Sequence, residues 1–411
     1  MLRAIIFSYA LLFFSALSAQ PLNVKVSAKS AILMNAETGR ILYKKNEEQN
    51  VYPASLTKVA TCLFALKQIK EGEEKLVSCP SHCLQKMNKS IKEYHHYKDP
   101  AHLLEPDGSH FWIRNGEKLS FIDLLHGMML VSGNDAANYV AHYAGGSIPR
   151  FMTGMNAYLK DLGCKNTLFY NPHGLHHPNH QTTAYDMALI AREAIKNNTI
   201  KSIVSKVEYV RSSTNLQSAR TIYQTNALLQ AGKFFYPKAV GLKTGYTSDA
   251  GYTFAGVAKD SKRFLIAILM GCKTSQELYR EAIRLFESAF SEVKQERLLF
   301  RREENSFKRA LKETKTPLKA ILYDDVKISY YPSEEPQIQI QLNWENITVP
   351  IEKGSWVGEI HILDEKNNVI EIGPLYASEA VKKTFLAWIR SLLIGERVLP
   401  FIFQGSYIAL F

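Results

Sequence analysis

Two blocks of strand-like sequence stand roughly two hundred residues apart and enclose a long helical middle, and this arrangement limits the fold more than any other feature. Ile32 to Met34 and Ile41 to Tyr43 flank a Glu37-Thr38-Gly39 turn and predict a hairpin. Far downstream, Tyr252 to Val257 and Phe264 to Met270 read as strands, and a helix from about Gln276 to Phe290 closes the region. Between the blocks the pattern is helical through roughly residue 205, opening with a helix that starts near Ser55 and stops at Gly72. Helices held between distant strands predict one α+β domain whose sheet joins its N- and C-terminal segments.

A second region has a different texture. Residues 295–317 are crowded with Arg, Lys and Glu and read as a linker or a solvated helix. Gln337 to Trp344 then alternates strictly, with Ile338, Ile340, Leu342 and Trp344 on one face and Gln or Asn on the other, which predicts a half-buried antiparallel strand. Trp356 to Ile362 and Val369 to Ile372 surround a Lys366-Asn367-Asn368 turn, so residues 318–378 are expected to form a small all-β domain.

Residues 1–19 have the form of an export signal: Arg3, an apolar run from Ala4 to Leu17, then the small residues Ala16, Ser18 and Ala19. In the C-terminal segment 379–411, Phe385, Leu386, Ile389, Leu392 and Leu393 fall at helical spacing between Lys382, Lys383 and Arg390. That is the pattern of an amphipathic helix lying on an anionic membrane surface, and the apolar stretch from Val398, broken by Pro400 and Gly405, is too short to cross one. The bland reading is a terminal helix docked on the protein's own core. Net charge is +11, and an exported basic chain is drawn to anionic lipid or wall polymer; no nucleic-acid recognition motif appears. The five cysteines are odd in number and too sparse for a stapled scaffold, so most are expected to be small core residues. Cys79 and Cys83, with His82 between them, have the spacing of a local bridge or a weak metal site, and no functional expectation rests on them.

Three short motifs carry the chemistry: Ser55-Leu56-Thr57-Lys58, Ser132-Gly133-Asn134 and Lys243-Thr244-Gly245. Singly they are weak, because Ser291-Glu292-Val293-Lys294 and Ser213-Thr214-Asn215 also fit two of the patterns. Context separates them: Ser55 opens an apolar helix, at the positive end of its dipole, and Lys58 projects one turn on from the same face. A seryl hydroxyl needs a base, and a lysine serves only when burial and a second cation lower its pKa; Lys243 is that cation. Ser132 can relay a proton to the leaving amine, and the Asn134 amide can hold substrate peptide groups. Lys243-Thr244-Gly245 begins a strand, where a glycine lets substrate backbone approach an edge. Backbone N–H groups of Ser55 and Tyr246 are the expected oxyanion hole, worth about 3 to 4 kcal/mol per donor.

The trio is shared by penicillin-binding proteins and class A β-lactamases. Together with Ser132-Gly133-Asn134-Asp135-Ala136, His173-Gly174-Leu175, Asp186-Met187-Ala188-Leu189-Ile190 and Gly241 to Thr247, it resembles the low-molecular-mass D-alanyl-D-alanine carboxypeptidases of the penicillin-binding protein 5 type, peptidase family S11. The resemblance covers most of residues 30–290. It implies a transpeptidase-like domain over residues 20–294, an antiparallel sheet with a helical subdomain. It also implies removal of the terminal D-alanine from peptidoglycan stem pentapeptides through an acyl-Ser55 intermediate, at the periplasmic face of the cytoplasmic membrane, with β-lactams as inhibitors. Arg280 matches the family's arginine for the substrate carboxylate, assisted by Thr244. No cofactor is implied. Tyr246 stands where histidine often follows the K-T-G and Val240 where an acidic residue often precedes the glycine, which bears on pH dependence and β-lactam sensitivity. Residues 73–118 form a longer, more basic segment than the family pattern, a lid or a partner surface. His173, His176, His177 and His180 lack the spacing of a known zinc motif, so no metal is expected. Three rivals stay open: a β-lactamase using Glu193 and Asn197 to hold water, a DD-endopeptidase, and an inactive wall-binding scaffold.

Overall fold

The computed structural model describes residues 9–13, 20–69 and 75–393. They form two compact units, Pro21–Ser291 and a smaller one comprising the N-terminal strand and residues from Glu292. The fold is α+β in the first and mainly antiparallel sheet in the second.

Five antiparallel strands build the larger unit's sheet, in the order Ile41–Lys45, Ser30–Asn35, Phe264–Cys272, Gly251–Lys259, Ala239–Thr247. The expected sheet of distant segments is therefore present, with Ala267 opposite Leu33 and Ala255 opposite Ile268. Because side chains alternate across a strand, the run Phe264–Cys272 feeds two cores at once. Ile266, Ile268 and Met270 pack with Ile32 and Met34 against the helical layer. Leu265, Ala267 and Leu269 pack with Leu33 against Leu278, Ala282, Leu285 and Phe286 of the Ser275–Phe290 helix. Burial on both faces explains an apolar run without alternation.

The nucleophile segment is a single 3-10 turn, Ala54–Leu56, running into a helix over Thr57–Gln68. Val59 to Ala65 are all buried, so this helix passes through the core. The Phe121–Leu130, Asn134–Gly145, Ile148–Asp161 and Ala184–Ala194 helices surround it. Ser120, Ser147 and Thr183 accept the N–H groups of Asp123, Arg150 and Asp186 as N-caps. All five cysteines are buried, and none is joined in a disulfide.

In the smaller unit, six antiparallel strands run in the order Tyr9–Phe13, Gln339–Trp344, Trp356–Leu363, Val369–Ala377, Leu318–Leu322, Ser306–Arg309. Gln295–Phe300 pairs with Val326–Tyr330 beside them. The charged stretch 295–317 is thus neither linker nor helix but contributes two strands, which corrects that expectation. Glu296 and Lys308 are exposed, Arg297 is half-buried against Glu335, and Phe300 faces the core. The unit also reaches past residue 378, because Val381 is buried in its core and bridges Ile351. A helix follows over Phe385–Leu393. Of the expected export signal only Tyr9–Phe13 is described, paired with Gln339–Trp344; its remaining residues, and the tail from residue 394, lie outside the described residues.

Candidate active site

Ser55 projects from a turn that the rest of the unit clamps. Ala54 takes a left-handed φ of 49°, Thr57 Oγ1 donates to the Ala54 carbonyl at 2.9 Å, and Thr253 Oγ1 donates to the Pro53 carbonyl at 3.0 Å. Two glycines make room for this turn. A Cβ on Gly174 would stand 1.9 Å from the Ala54 carbonyl oxygen, and one on Gly245 would stand 2.9 Å from the Ser55 nitrogen. The glycine of Lys243-Thr244-Gly245 therefore serves the protein's own close packing, and it sets the strand beside the Ser55 N–H.

Lys58 lies beneath the serine with no exposed surface. Its Nζ is 2.9 Å from Ser55 Oγ, 2.7 Å from Asn134 Oδ1 and 2.6 Å from the His173 carbonyl oxygen. Burial, then the Lys243 charge, push its pKa well below the usual lysine range, and Asp135 opposes them. Asp135 is fixed by accepting the Phe111 and Ile113 N–H groups at 2.7 and 3.0 Å. Lys243 is buried as well, its Nζ donating to the Thr244 carbonyl at 2.9 Å, and burial lowers its pKa to about 7. Neither lysine is left charged without cost at neutral pH, which is the condition for a lysine base.

Ser132 sits in a left-handed conformation, φ 62°, at the step into the Asn134–Gly145 helix. Its Oγ is buried without a hydrogen-bond partner. A strained backbone and an orphan buried hydroxyl each carry a free-energy cost, and both persist where a site needs the atom aimed. Ser55, Ser132, Asn134, Thr244, Gly245 and Tyr246 line one cavity of about 330 Å³. Among the described residues the strand bearing Thr244 pairs only on its Gly251–Lys259 side, so its other edge is open to this cavity.

Of the residues expected from sequence, Ser55, Lys58, Ser132, Asn134, Lys243, Thr244, Gly245 and Tyr246 are brought together. Arg280 is not: it is exposed, its Nε donates to the Gln276 carbonyl at 3.3 Å, and Tyr279 and Leu278, not Arg280, reach the cavity wall. Sequence reasoning gave no role to two contributors: the His173 carbonyl holds Lys58, and Asp135 faces it. The 73–118 segment, expected as a lid or a partner surface, supplies Asp107, Gly108 and Ser109 to one cavity wall. From the same segment Lys89 reaches Asp249 at 2.7 Å, and Tyr97 meets the His176 and His177 rings edge-on. Of the four clustered histidines, His180 props the nucleophile turn, its Nε2 lying 2.9 Å from Thr57 Oγ1. Glu193 pairs with Lys196 at 2.7 Å and Asn197 caps the Asn198–Val204 helix, and neither lines the cavity.

A serine backed by a buried lysine, a second serine and a free strand edge defines an acyl-transferring serine hydrolase of the transpeptidase-like fold. Residues 15–274 match the family model described as D-alanyl-D-alanine carboxypeptidase, peptidase S11, and residues 297–383 match the penicillin-binding protein 5 C-terminal domain. The chain belongs to this family, the serine D-alanyl-D-alanine carboxypeptidases. It is 30% identical to D-alanyl-D-alanine carboxypeptidase DacF of Bacillus subtilis, over 87% of this chain and 86% of that one. Among solved structures, penicillin-binding protein 5 of Haemophilus influenzae aligns with a TM-score of 0.58 at 26% identity, covering 88% of this chain and 99% of its own. DacD of Francisella tularensis, at 23% identity and a TM-score of 0.61, shares the fold over 90% of this chain and 97% of its own.

Proposed function

We propose that the protein removes the terminal D-alanine from peptidoglycan stem pentapeptides, with Ser55 as nucleophile and penicillins acylating the same atom. The observation that carries this reading is the buried Lys58 Nζ, 2.9 Å from Ser55 Oγ and without a carboxylate among its three hydrogen-bond partners. In its neutral form Lys58 takes the Ser55 proton as Oγ attacks the penultimate D-alanine carbonyl. The Ser55 and Tyr246 N–H groups hold the oxyanion. The Ser132 hydroxyl, its proton replaced from Lys58, protonates the departing amine, and free D-alanine leaves. Water then attacks the ester, giving its proton back through Lys58, and Ser55 is regenerated.

The stem peptide aligns along the open edge at Thr244 and against Asn134, and its carboxylate meets Thr244 Oγ1 with Lys243 beneath. A β-lactam keeps its leaving amine tethered to the acyl group, which obstructs water. The position of Glu193 outside the cavity favours this reading over a β-lactamase.

Export by residues 1–19 and peripheral attachment by the C-terminal segment belong to the same proposal. Phe385, Leu386 and Trp388 are 68, 78 and 51% exposed, too apolar a face to leave in water without a surface to meet. No described helix is long and apolar enough to cross a membrane.

Intact mass after incubation with benzylpenicillin, beside Ser55→Ala, tests the core of the proposal. The expected result is one persistent adduct on the wild type alone, with D-alanine released from a pentapeptide. Fast return to free enzyme indicates a β-lactamase, cleavage confined to crosslinked peptides an endopeptidase, and no adduct an inactive scaffold.

A further inference from the structure

One side-chain cluster stands apart from this machinery. Among the described residues one group offers three metal-ligating side chains at close range: His82, Cys83 and His142, whose donor atoms lie within 4.8 Å of one another. His82 and Cys83 come from a 3-10 turn, Ser81–Leu84, inside the unusual 73–118 segment. His142 comes from the last turn of the Asn134–Gly145 helix. The sequence pairs only the first two; the fold supplies the third.

From this geometry we propose that His82, Cys83 and His142 bind a zinc ion. One thiolate and two imidazoles make a donor set for a borderline-soft divalent cation. Tetrahedral zinc at ordinary bond lengths places its donors about 3.3 to 3.8 Å apart, so the side chains need close in by only about an ångström. His142 Nδ1 is buried with no hydrogen-bond partner, a state that an imidazole nitrogen tolerates poorly unless a ligand takes its lone pair. Cys83 is buried, while His82 is exposed and gives an ion a route in. Behind them Cys79 lies against Cys83 and donates its thiol proton to the Tyr139 carbonyl at 3.6 Å, so it packs beside the ligating sulfur from outside. The fourth position is left to water on the His82 side.

The site ties the 73–118 segment to the helix whose first residue is Asn134. Asn138, midway along that helix, donates from Nδ2 to the Cys83 and His102 carbonyls at 2.9 Å each. The His102 carbonyl also lies 3.2 Å from His173 Nε2, and His173 holds Lys58 through its own carbonyl. Zinc therefore acts as a clamp on the far end of the catalytic wall, outside the reacting atoms.

The test uses full-length protein prepared under reducing conditions, loaded with zinc sulfate and dialysed. One zinc per chain should remain, cobalt(II) substitution should give the charge-transfer absorption of a thiolate ligand, and zinc should raise Tm. His82→Ala, chosen because that side chain is exposed and the fold does not need it, and His142→Ala should each abolish retention and the Tm response. Cys79→Ala should weaken binding about 10- to 100-fold, as an outer-shell change does. Zinc retained undiminished by the paired histidine variants, or none retained by the wild type, overturns the proposal. So does unreduced protein that is lighter by two hydrogens with Cys79 joined to Cys83 and no zinc uptake after reduction, since the pair is then a disulfide.

Discussion

Two buried lysines in the same unit show opposite designs. Lys92 donates to the Leu103 carbonyl at 2.7 Å and to the Glu105 carboxylate at 3.1 Å, so its charge has a counter-charge within contact. Burial lowers its pKa and Glu105 pulls it back up. Lys58 is more deeply enclosed, and its three partners are two neutral oxygens and the serine it must activate. The first lysine is settled in its charged form as part of the scaffold. The second is held where charge is costly, and that cost is what makes it a base.

The sharpest way to break the comparison is to replace each lysine by methionine. Lys58→Met is expected to lower the rate of penicillin acylation by about 10³-fold or more, with unchanged or higher stability, because it removes a buried amine that has no counter-ion. Lys92→Met should do the reverse: acylation persists, while the stranded Glu105 costs about 3 kcal/mol or more in urea denaturation. If both variants lose stability alike, the distinction between them fails.

A milder variant probes the coupling of the two cleft lysines. Lys243→Gln removes a positive neighbour, so the Lys58 pKa rises and the acidic limb of the acylation profile moves to higher pH. The sign for stability follows from the same shift. Lys243 binds its proton less tightly when folded, so its cost to the fold is full below about 7 and is relieved as pH rises toward 10.5. Stability of the wild type should therefore climb across that window, and Lys243→Gln should flatten the climb. An unmoved acidic limb would separate the two lysines.

The smallest effect lies at Ser132. Ser132→Gly relieves the left-handed backbone and the orphan hydroxyl, and is expected to raise stability by about 1 kcal/mol while turnover falls. Loss of both would mean that the hydroxyl serves packing alone.

How much of this could be read beforehand differs by residue. Strict alternation at Ile338 and Ile340 made one strand plain, and the double-sided burial of Phe264–Cys272 left a run too apolar to mistake. The strands at Gln295–Phe300 and Ser306–Arg309 were hidden, because each is short, leaves half of its side chains exposed and keeps few apolar anchors. In the site, Ser55, Lys58 and Lys243 were legible because side-chain chemistry fixes their types. The His173 carbonyl was not, since any residue carries that atom, and only the conformation around Gly174 aims it. His142 likewise joined His82 and Cys83 through helix packing alone, with no spacing to announce it.

The seating of the serine turn on strands from the far end of the unit also sets an order of assembly. Ser30–Asn35 waits for Phe264–Cys272, and the Pro53 carbonyl waits for Thr253, so the turn has no floor until nearly all of the unit has emerged. Contacts of such sequence separation form late and slowly. A chain that left the cytoplasm before folding would thus remain chemically silent in transit, its serine an ordinary alcohol, and become reactive only on arrival.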